Sequence, residues 1–163
     1  MAAEGEFALV RQYLQEALAG PGLPSYIIPA SDHDLYAMLV DVAGQQRDLT
    51  ALQQYAPQAE ETATRCGHTL YQAIAHRAWG IAHRLAGDYV PAETRLEQAL
   101  GLFQALETRW QIGRTLVELG ELALARGNAP TARDFLSAAL AAFEELGAAP
   151  DAARTRAVLE TLP

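Results

Sequence analysis

The feature that most constrains this chain is an internal repeat with a period of forty residues. Eight small or large apolar residues recur at the same spacing: Gly80, Gly87, Ala92, Leu96, Ala99, Leu100, Phe103 and Leu106 reappear as Gly120, Gly127, Ala132, Leu136, Ala139, Leu140, Phe143 and Leu146. The polar residues between them change freely. Because fixed small and large apolar residues seat one helix against another, the repeat predicts stacked helical hairpins.

Composition supports an all-α fold. Half of the residues are hydrophobic, and no long stretch alternates between apolar and polar residues with a period of two. The formal net charge is −8, and all twelve basic residues are arginine. An acidic chain repels nucleic-acid phosphates unless its positive charge is concentrated on one face. We therefore expect no nucleic-acid partner.

The ends of the predicted helices are marked by turn residues. Gly87 and Gly127 each end a helix, and Asp88 and Asn128 cap the helix that follows. The full chain is interpreted as one domain, 1–163. Its parts are an N-terminal helix and a Pro/Gly-rich connection over 1–31, a degenerate hairpin over 32–67, regular hairpins over 69–106 and 109–147, and a C-terminal capping helix over 151–162.

Three further signals concern the degenerate hairpin and the C-terminal helix. Thr50 followed by Gln53 is a capping-box pattern that starts a helix. Pro57 lies well inside that helix, and its missing N–H predicts a kink or a split into two shorter helices. Asp151 is the expected cap of the last helix.

The compartment is inferred from cysteine usage and from the N-terminus. Cys66 is the single cysteine, so an internal disulfide is excluded and a reducing compartment is indicated. The first residues are acidic and lack an apolar signal core, and no apolar run approaches the ~20 residues that span a bilayer. We expect a cytoplasmic protein with no membrane partner.

The repeat resembles that of the tetratricopeptide repeat family. The family's pattern of an apolar residue and glycine in the first helix, with two alanines and a large apolar residue in the second, is matched twice: Trp79-Gly80 with Ala92, Leu96 and Ala99, and Leu119-Gly120 with Ala132, Leu136 and Ala139. Gly87-Asp88-Tyr89 matches the family's usual turn. The period of forty is longer than the common 34 residues. It is similar to the longer repeats in sensor arms of bacterial signalling ATPases and regulators.

The resemblance implies a right-handed superhelix of about three and a half hairpins, or seven to eight helices, whose first helices line a concave groove. A non-catalytic scaffold that binds a protein or peptide there is the implied function. The groove positions of the family correspond to Ile74, Arg77, Ile81, Arg84, Arg114, Val117, Glu121 and Leu124, with Asp34, Ala37 and Asp41 from the degenerate hairpin.

Two interpretations of the groove arginines stay open. Arg77, Arg84 and Arg114 could bind a carboxylate of the partner while the apolar residues supply affinity. Alternatively, they are solvated or pair with Glu118 and Glu121 within the chain. Trp110 is either packed against the preceding hairpin or an exposed anchor at the lip of the groove.

Metal and catalytic sites are not expected. His76 and His83 are seven residues apart, about 10 Å along a helix, which is too far for two ligands of one zinc ion. Packed, hydrogen-bonded core histidines are the preferred interpretation. The sequence lacks a phosphate-binding glycine loop and the common hydrolase motifs. We therefore predict no enzyme activity, no cofactor and no metal.

A second functional hypothesis is an oligomerisation or regulatory arm of a larger bacterial signalling protein. Repeat arrays need polar caps, yet residues 151–162 include the apolar side chains Ala152, Ala153, Ala157, Val158 and Leu159. Such an end could support a homodimer through the C-terminal helix.

Overall fold

The computed structural model of the protein describes residues 9–10, 12–13, 16 and 29–162. The described residues contain seven helices and no strand: α1 (Pro29–Gln45), α2 (Leu49–Arg65), α3 (Thr69–Ala86), α4 (Tyr89–Ala105), α5 (Arg109–Ala125), α6 (Ala129–Glu145) and α7 (Ala149–Thr161). The fold is therefore all-α over these residues, as predicted. Of the predicted N-terminal helix and connection, the structure describes 9–10, 12–13 and 16, which are helical, and the start of α1; the rest lies outside the described residues.

The helices follow a period of twenty residues, half of the sequence repeat. Each begins twenty residues after the previous one, from position 29 to position 149. A left-handed backbone conformation ends each of the first six helical units, at Arg47, Gly67, Gly87, Glu107, Gly127 and Gly147. Four of these six positions hold glycine, which adopts this conformation without a steric penalty. Each forty-residue hairpin is thus built from two helix–turn units of equal length.

The helix caps agree with the sequence in one place and differ in others. The Asn128 side chain accepts a hydrogen bond from the Thr131 amide at 3.2 Å, as predicted. The predicted Thr50 cap is wrong, because the cap is Asp48, two residues earlier, whose side chain accepts from the Ala51 amide at 2.9 Å. The last helix begins at Ala149, so Asp151 lies within its first turn instead of capping it. Asp88 occupies the cap position without a side-chain cap bond.

The proline inside α2 does not divide the helix. The helix is continuous from Leu49 to Arg65 with Pro57 within it, so the predicted split does not occur. The neighbouring Tyr55, Ala56 and Ala59 are buried. Packing of this face against the adjacent helices stabilises the segment despite the missing backbone donor.

Two glycines set the distance between the helices of the regular hairpins. A Cβ added to Gly80 would lie 2.5 Å from Cγ of Leu96, and one added to Gly120 would lie 2.8 Å from Cγ of Leu136. Both distances are far below van der Waals contact. The repeated glycine therefore lets the leucine of the second helix reach the backbone of the first.

Each helix packs against the next helix in the chain, and α1 with α3 and α3 with α5 also pack against each other. The alternate helices α1, α3 and α5 therefore share one side of the molecule. Phe103 and Phe143, forty residues apart, are the largest fully buried side chains. Each described helix is too short or too polar to cross a bilayer.

Candidate functional site

The predicted groove residues lie on α1, α3 and α5, because spacings of three, four and seven place side chains on one face of a helix. Their exposure differs widely. Ile74 and Ile81 are buried, and only 3% of Arg77 is exposed, so these three side chains offer a partner almost no surface. Arg114, Val117 and Glu121 line an open cleft instead. The structure thus divides the predicted set into an inner layer on α3 and an accessible layer on α5.

Arg77 is held by contacts within the chain. Its guanidinium donates to Oε1 of Gln111 at 2.6 Å and to Oδ1 of Asp41 at 3.2 Å. The same group lies 5.1 Å from the centre of the Phe103 ring. Burial, and then the neighbouring Arg114 guanidinium, lower the pKa of Arg77 to about 10. Arg77 is a cation in the interior, stabilised by these partners at neutral pH.

Asp41 on α1 binds a second arginine as well. Arg114 Nη1 lies 2.8 Å from Oδ1 and 3.1 Å from Oδ2 of the same carboxylate. The Arg114 guanidinium also stacks 4.7 Å from the centre of the Trp110 ring. One carboxylate therefore pairs with two guanidinium groups, and the trio of Asp41, Arg77 and Arg114 has a net charge of about +1.

A second ion cluster has balanced charges. Glu118 and Glu121 on α5 contact Arg47 at 2.7 Å and 2.6 Å, and Arg84 at 3.0 Å and 2.7 Å. Burial, and then the Glu118 charge, raise the pKa of Glu121 although both arginines lower it. The Nε atom of Arg84 is buried and has no hydrogen-bond partner within the part of the chain that the structure describes. Of the predicted groove arginines, Arg84 pairs with Glu118 and Glu121, whereas Arg77 and Arg114 pair with Asp41.

A cleft of about 590 Å³ lies between α5, α6 and α7. Its walls are completed by Arg47 from the turn between α1 and α2. Apolar side chains form much of the lining: Trp110, Val117, Leu136, Phe143, Ala157 and Val158. Trp110 is 42% exposed, and its indole N–H donates to Oδ2 of Asp151 at 3.0 Å. Of the two interpretations of Trp110, this exposure favours an exposed anchor at the lip of the groove over a fully packed side chain.

A smaller cavity of about 260 Å³ lies between α1, α3 and α5. Ala37, Met38, Val42 and Ile74 supply its apolar lining, with Asp34 and Asp41 among its polar residues. Trp110 and Arg114 line both this cavity and the larger cleft. These two side chains therefore lie at the boundary between two concave regions on the same side of the molecule.

Sequence reasoning did not identify two contributors to the cleft. Arg47 carries no local signal, because its ion-pair partners are more than seventy residues away in the chain. The residues of α7 could have been found by extending the repeat. A shift of forty residues carries Ile74 to Arg114 and then to Arg154, and it carries Val117 to Ala157. Arg154 and Ala157 both line the cleft.

His76 and His83 contact other side chains on a different face of α3. Nδ1 of the half-buried His76 lies 2.9 Å from Nη1 of Arg95, and burial, then the Arg95 charge, lower the pKa of His76. His83 stacks on Trp79 with ring centres 5.6 Å apart. Among the described residues, no group of three or more histidine, cysteine or acidic side chains is placed to hold a metal ion.

The fold has a counterpart among solved structures. No protein-family model and no curated protein matches the sequence. The crystal structure of BtubC (BKLC) from P. vanneervenii is similar over 99% of this chain and 78% of that chain, with a TM-score of 0.59 and 16% sequence identity. At this identity the likeness concerns the fold alone.

Proposed function

We propose that the protein is a non-catalytic scaffold that binds a peptide or a peptide-like segment of another protein. In this proposal the helices form a superhelical array of the tetratricopeptide kind, and the alternate helices line its concave groove. The observation that carries the proposal is the cleft between α5, α6 and α7. It combines an apolar lining, a half-exposed tryptophan and charged side chains at its edges. This is the chemistry of sites that bind extended or helical peptides.

The contact surface is accordingly shifted toward the C-terminal half of the predicted groove. Arg114, Val117 and Glu121 remain in it, and Trp110, Ala157 and Val158 join them. The buried Ile74, Arg77 and Ile81 act as the packed layer behind this surface. A rigid layer of this kind supports binding because it holds the contact side chains in place before the partner arrives.

A selection of displayed random peptides on the immobilised protein tests the proposal. Selected peptides are then titrated, with fluorescence anisotropy as the readout, against the wild type and against Val158→Arg, which places a long charged side chain in the cleft. Val90→Arg is the matched control, because Val90 is 70% exposed and lies outside both cavities. We expect Val158→Arg to weaken binding at least about tenfold and Val90→Arg to leave it unchanged. Failure to enrich any peptide, or equal binding to both variants, would contradict the proposal.

The second candidate, an oligomerisation or regulatory arm of a larger bacterial signalling protein, concerns the end of the array. Of the apolar side chains of α7, Ala152 is buried, Val158 and Leu159 are half-buried, and Ala153 and Ala157 are exposed. Light scattering over a concentration series distinguishes the two candidates. A dimer that Ala153→Glu dissociates would favour the arm, whereas a monomer at all concentrations would favour the peptide-binding scaffold. Removal of α7 is a poorer test, because Ala152 packs in the same cluster as Phe143.

A further inference from the structure

We propose that Arg114 is the anion-recognition point of this groove, and that the ligand is a peptide with an acidic side chain between two apolar positions. The inference rests on the proposed function and specifies its partner. It follows from three observations about Arg114: its charge is incompletely neutralised, it is held in place from behind, and it lies between two apolar cavities.

The ion pairs of the groove are distributed unevenly among its arginines. Asp41 is the carboxylate that contacts both Arg77 and Arg114, so this trio retains one positive charge. The other acidic residues at the groove have partners of their own. Glu118 and Glu121 pair with Arg47 and Arg84, and Asp151 pairs with Arg154 at 2.6 Å. A ligand carboxylate beside Arg114 would complete the neutralisation of the trio.

The presentation of Arg114 suits this role. Asp41 holds one side of the guanidinium, while the indole ring of Trp110 lies against its face. The side chain is 16% exposed and reaches the surface of both cavities, whereas only 3% of Arg77 is exposed. A guanidinium oriented in advance loses less conformational entropy when it binds a carboxylate, and its planar fork can donate two parallel hydrogen bonds.

The position of Arg114 determines where the acidic residue lies in the ligand. Apolar space continues on both sides of it, toward Val117 and Val158 in the larger cleft and toward the exposed Met38 in the smaller cavity. A peptide that fills both regions must cross Arg114 with an interior residue. An acidic side chain fits this place, whereas a C-terminal carboxylate would leave one of the cavities empty.

The remaining acidic residue of the smaller cavity is Asp34. It accepts a hydrogen bond from the Tyr71 hydroxyl group. Asp34 lies seven residues before Asp41 on α1, which corresponds to about 10 Å along the helix. Among the described residues, Arg77 and Arg114 form their ion pairs with Asp41 and not with Asp34.

The test uses the peptides enriched from a random twelve-residue display library on the wild-type protein. We expect them to share an aspartate or glutamate with apolar residues on both sides. Arg114→Gln should weaken their binding about tenfold or more, and Arg114→Lys should restore part of the loss. Arg109→Gln is the matched control, because Arg109 belongs to the same helix, is exposed and lies outside both cavities. Circular dichroism checks that each variant is folded.

A double-mutant cycle separates recognition from a structural effect. Each peptide is compared with its amide version, in which glutamine or asparagine replaces the acidic residue. In the wild type the acidic peptide should bind about tenfold more tightly than the amide, and in Arg114→Gln this difference should disappear. A structural role of Arg114 would weaken both peptides equally and leave the ratio unchanged, which would overturn the inference.

The other outcomes are also decisive. If peptides bind and Val158→Arg blocks them, but neither Arg114→Gln nor the acid-to-amide change matters, the inference is wrong and the proposed function stands. If binding is lost on amidation of the peptide C-terminus, the ligand carboxylate is terminal and the interior placement is wrong. If no peptide is enriched, the proposed function fails, and the inference fails with it.

Discussion

Nη1 of Arg47, in the turn between α1 and α2, lies 2.7 Å from Oε1 of Glu118 in α5, 71 residues further along the chain. The contact joins the first hairpin to the third, whereas most helix contacts link neighbours in the chain. Arg47 also has a left-handed backbone with φ of 55°, a conformation that favours glycine. The position therefore combines a backbone cost with a side chain that links distant helices.

The first prediction compares this position with Glu107, which has φ of 53° and an exposed side chain. Glu107→Gly should raise the free energy of unfolding by about 0.5–1 kcal/mol, because it removes the left-handed penalty. Arg47→Gly also removes the left-handed penalty, but it leaves Glu118 and Glu121 without one partner. We therefore expect the free energy of unfolding to fall by about 1 kcal/mol or more. Urea unfolding measures both. Stabilisation by Arg47→Gly would show that the ion cluster contributes little.

The second prediction concerns the glycines of the hairpins. Gly80→Ala should lower the free energy of unfolding by about 1–3 kcal/mol, because the new Cβ would lie 2.5 Å from Cγ of Leu96. Gly101→Ala is the matched control, since Gly101 lies inside α4 and its added Cβ meets no atom within 4 Å. There, alanine should stabilise the helix by about 0.5–1 kcal/mol. In thermal unfolding, we expect Gly80→Ala to lower the melting temperature and Gly101→Ala to raise it. Changes in the same direction would contradict the packing described for Gly80.

The third prediction concerns Asp41. Asp41→Asn removes the carboxylate that binds both Arg77 and Arg114, and it leaves a buried cation partly unpaired. We expect a loss of about 2–3 kcal/mol in the free energy of unfolding. Adding Arg77→Met should recover part of this loss, because the buried charge is then removed as well. The control Asp134→Asn, at an exposed position on α6, should have little effect in the same urea titration.

The fourth prediction concerns pH. The pKa of His76 is lowered in the folded protein, so the folded state favours the neutral ring, which accepts from Arg95. The stability that this neutral ring confers is fully present above the unfolded pKa of about 6.5 and is lost as the pH falls below it. His76→Gln keeps an acceptor that does not titrate. The melting temperature of this variant should therefore fall less than that of the wild type between pH 7.5 and 5.

Glu60 also faces His76 and Arg95, and its charge opposes the lowering of the His76 pKa. The control for the pH series is His68→Gln, the same chemical change at the exposed start of α3. It should follow the wild-type pH dependence. If His76→Gln and wild type lose stability in parallel, the Arg95 contact does not make His76 a source of acid sensitivity.

The division between sequence and tertiary structure follows from the range of the interactions involved. Helices, turns and the close approach of paired helices at Gly80 and Gly120 depend on residues within one hairpin. A periodic pattern of glycines, alanines and large apolar residues therefore determined them from the sequence by itself. The same forty-residue register brought Ile74, Arg77, Arg114 and Val117 to adjacent helices on one side of the molecule.

Pairing and exposure within that set were decided by the tertiary structure. Asp41 meets Arg77 and Arg114 across three helices, and Arg47 reaches Glu118 from the first hairpin to the third. Helical periodicity gives the face on which a charge lies but not the partner that approaches it from a distant helix. For the same reason, the sequence could not show that the Arg77 side chain is buried while the Arg114 side chain lines the cleft.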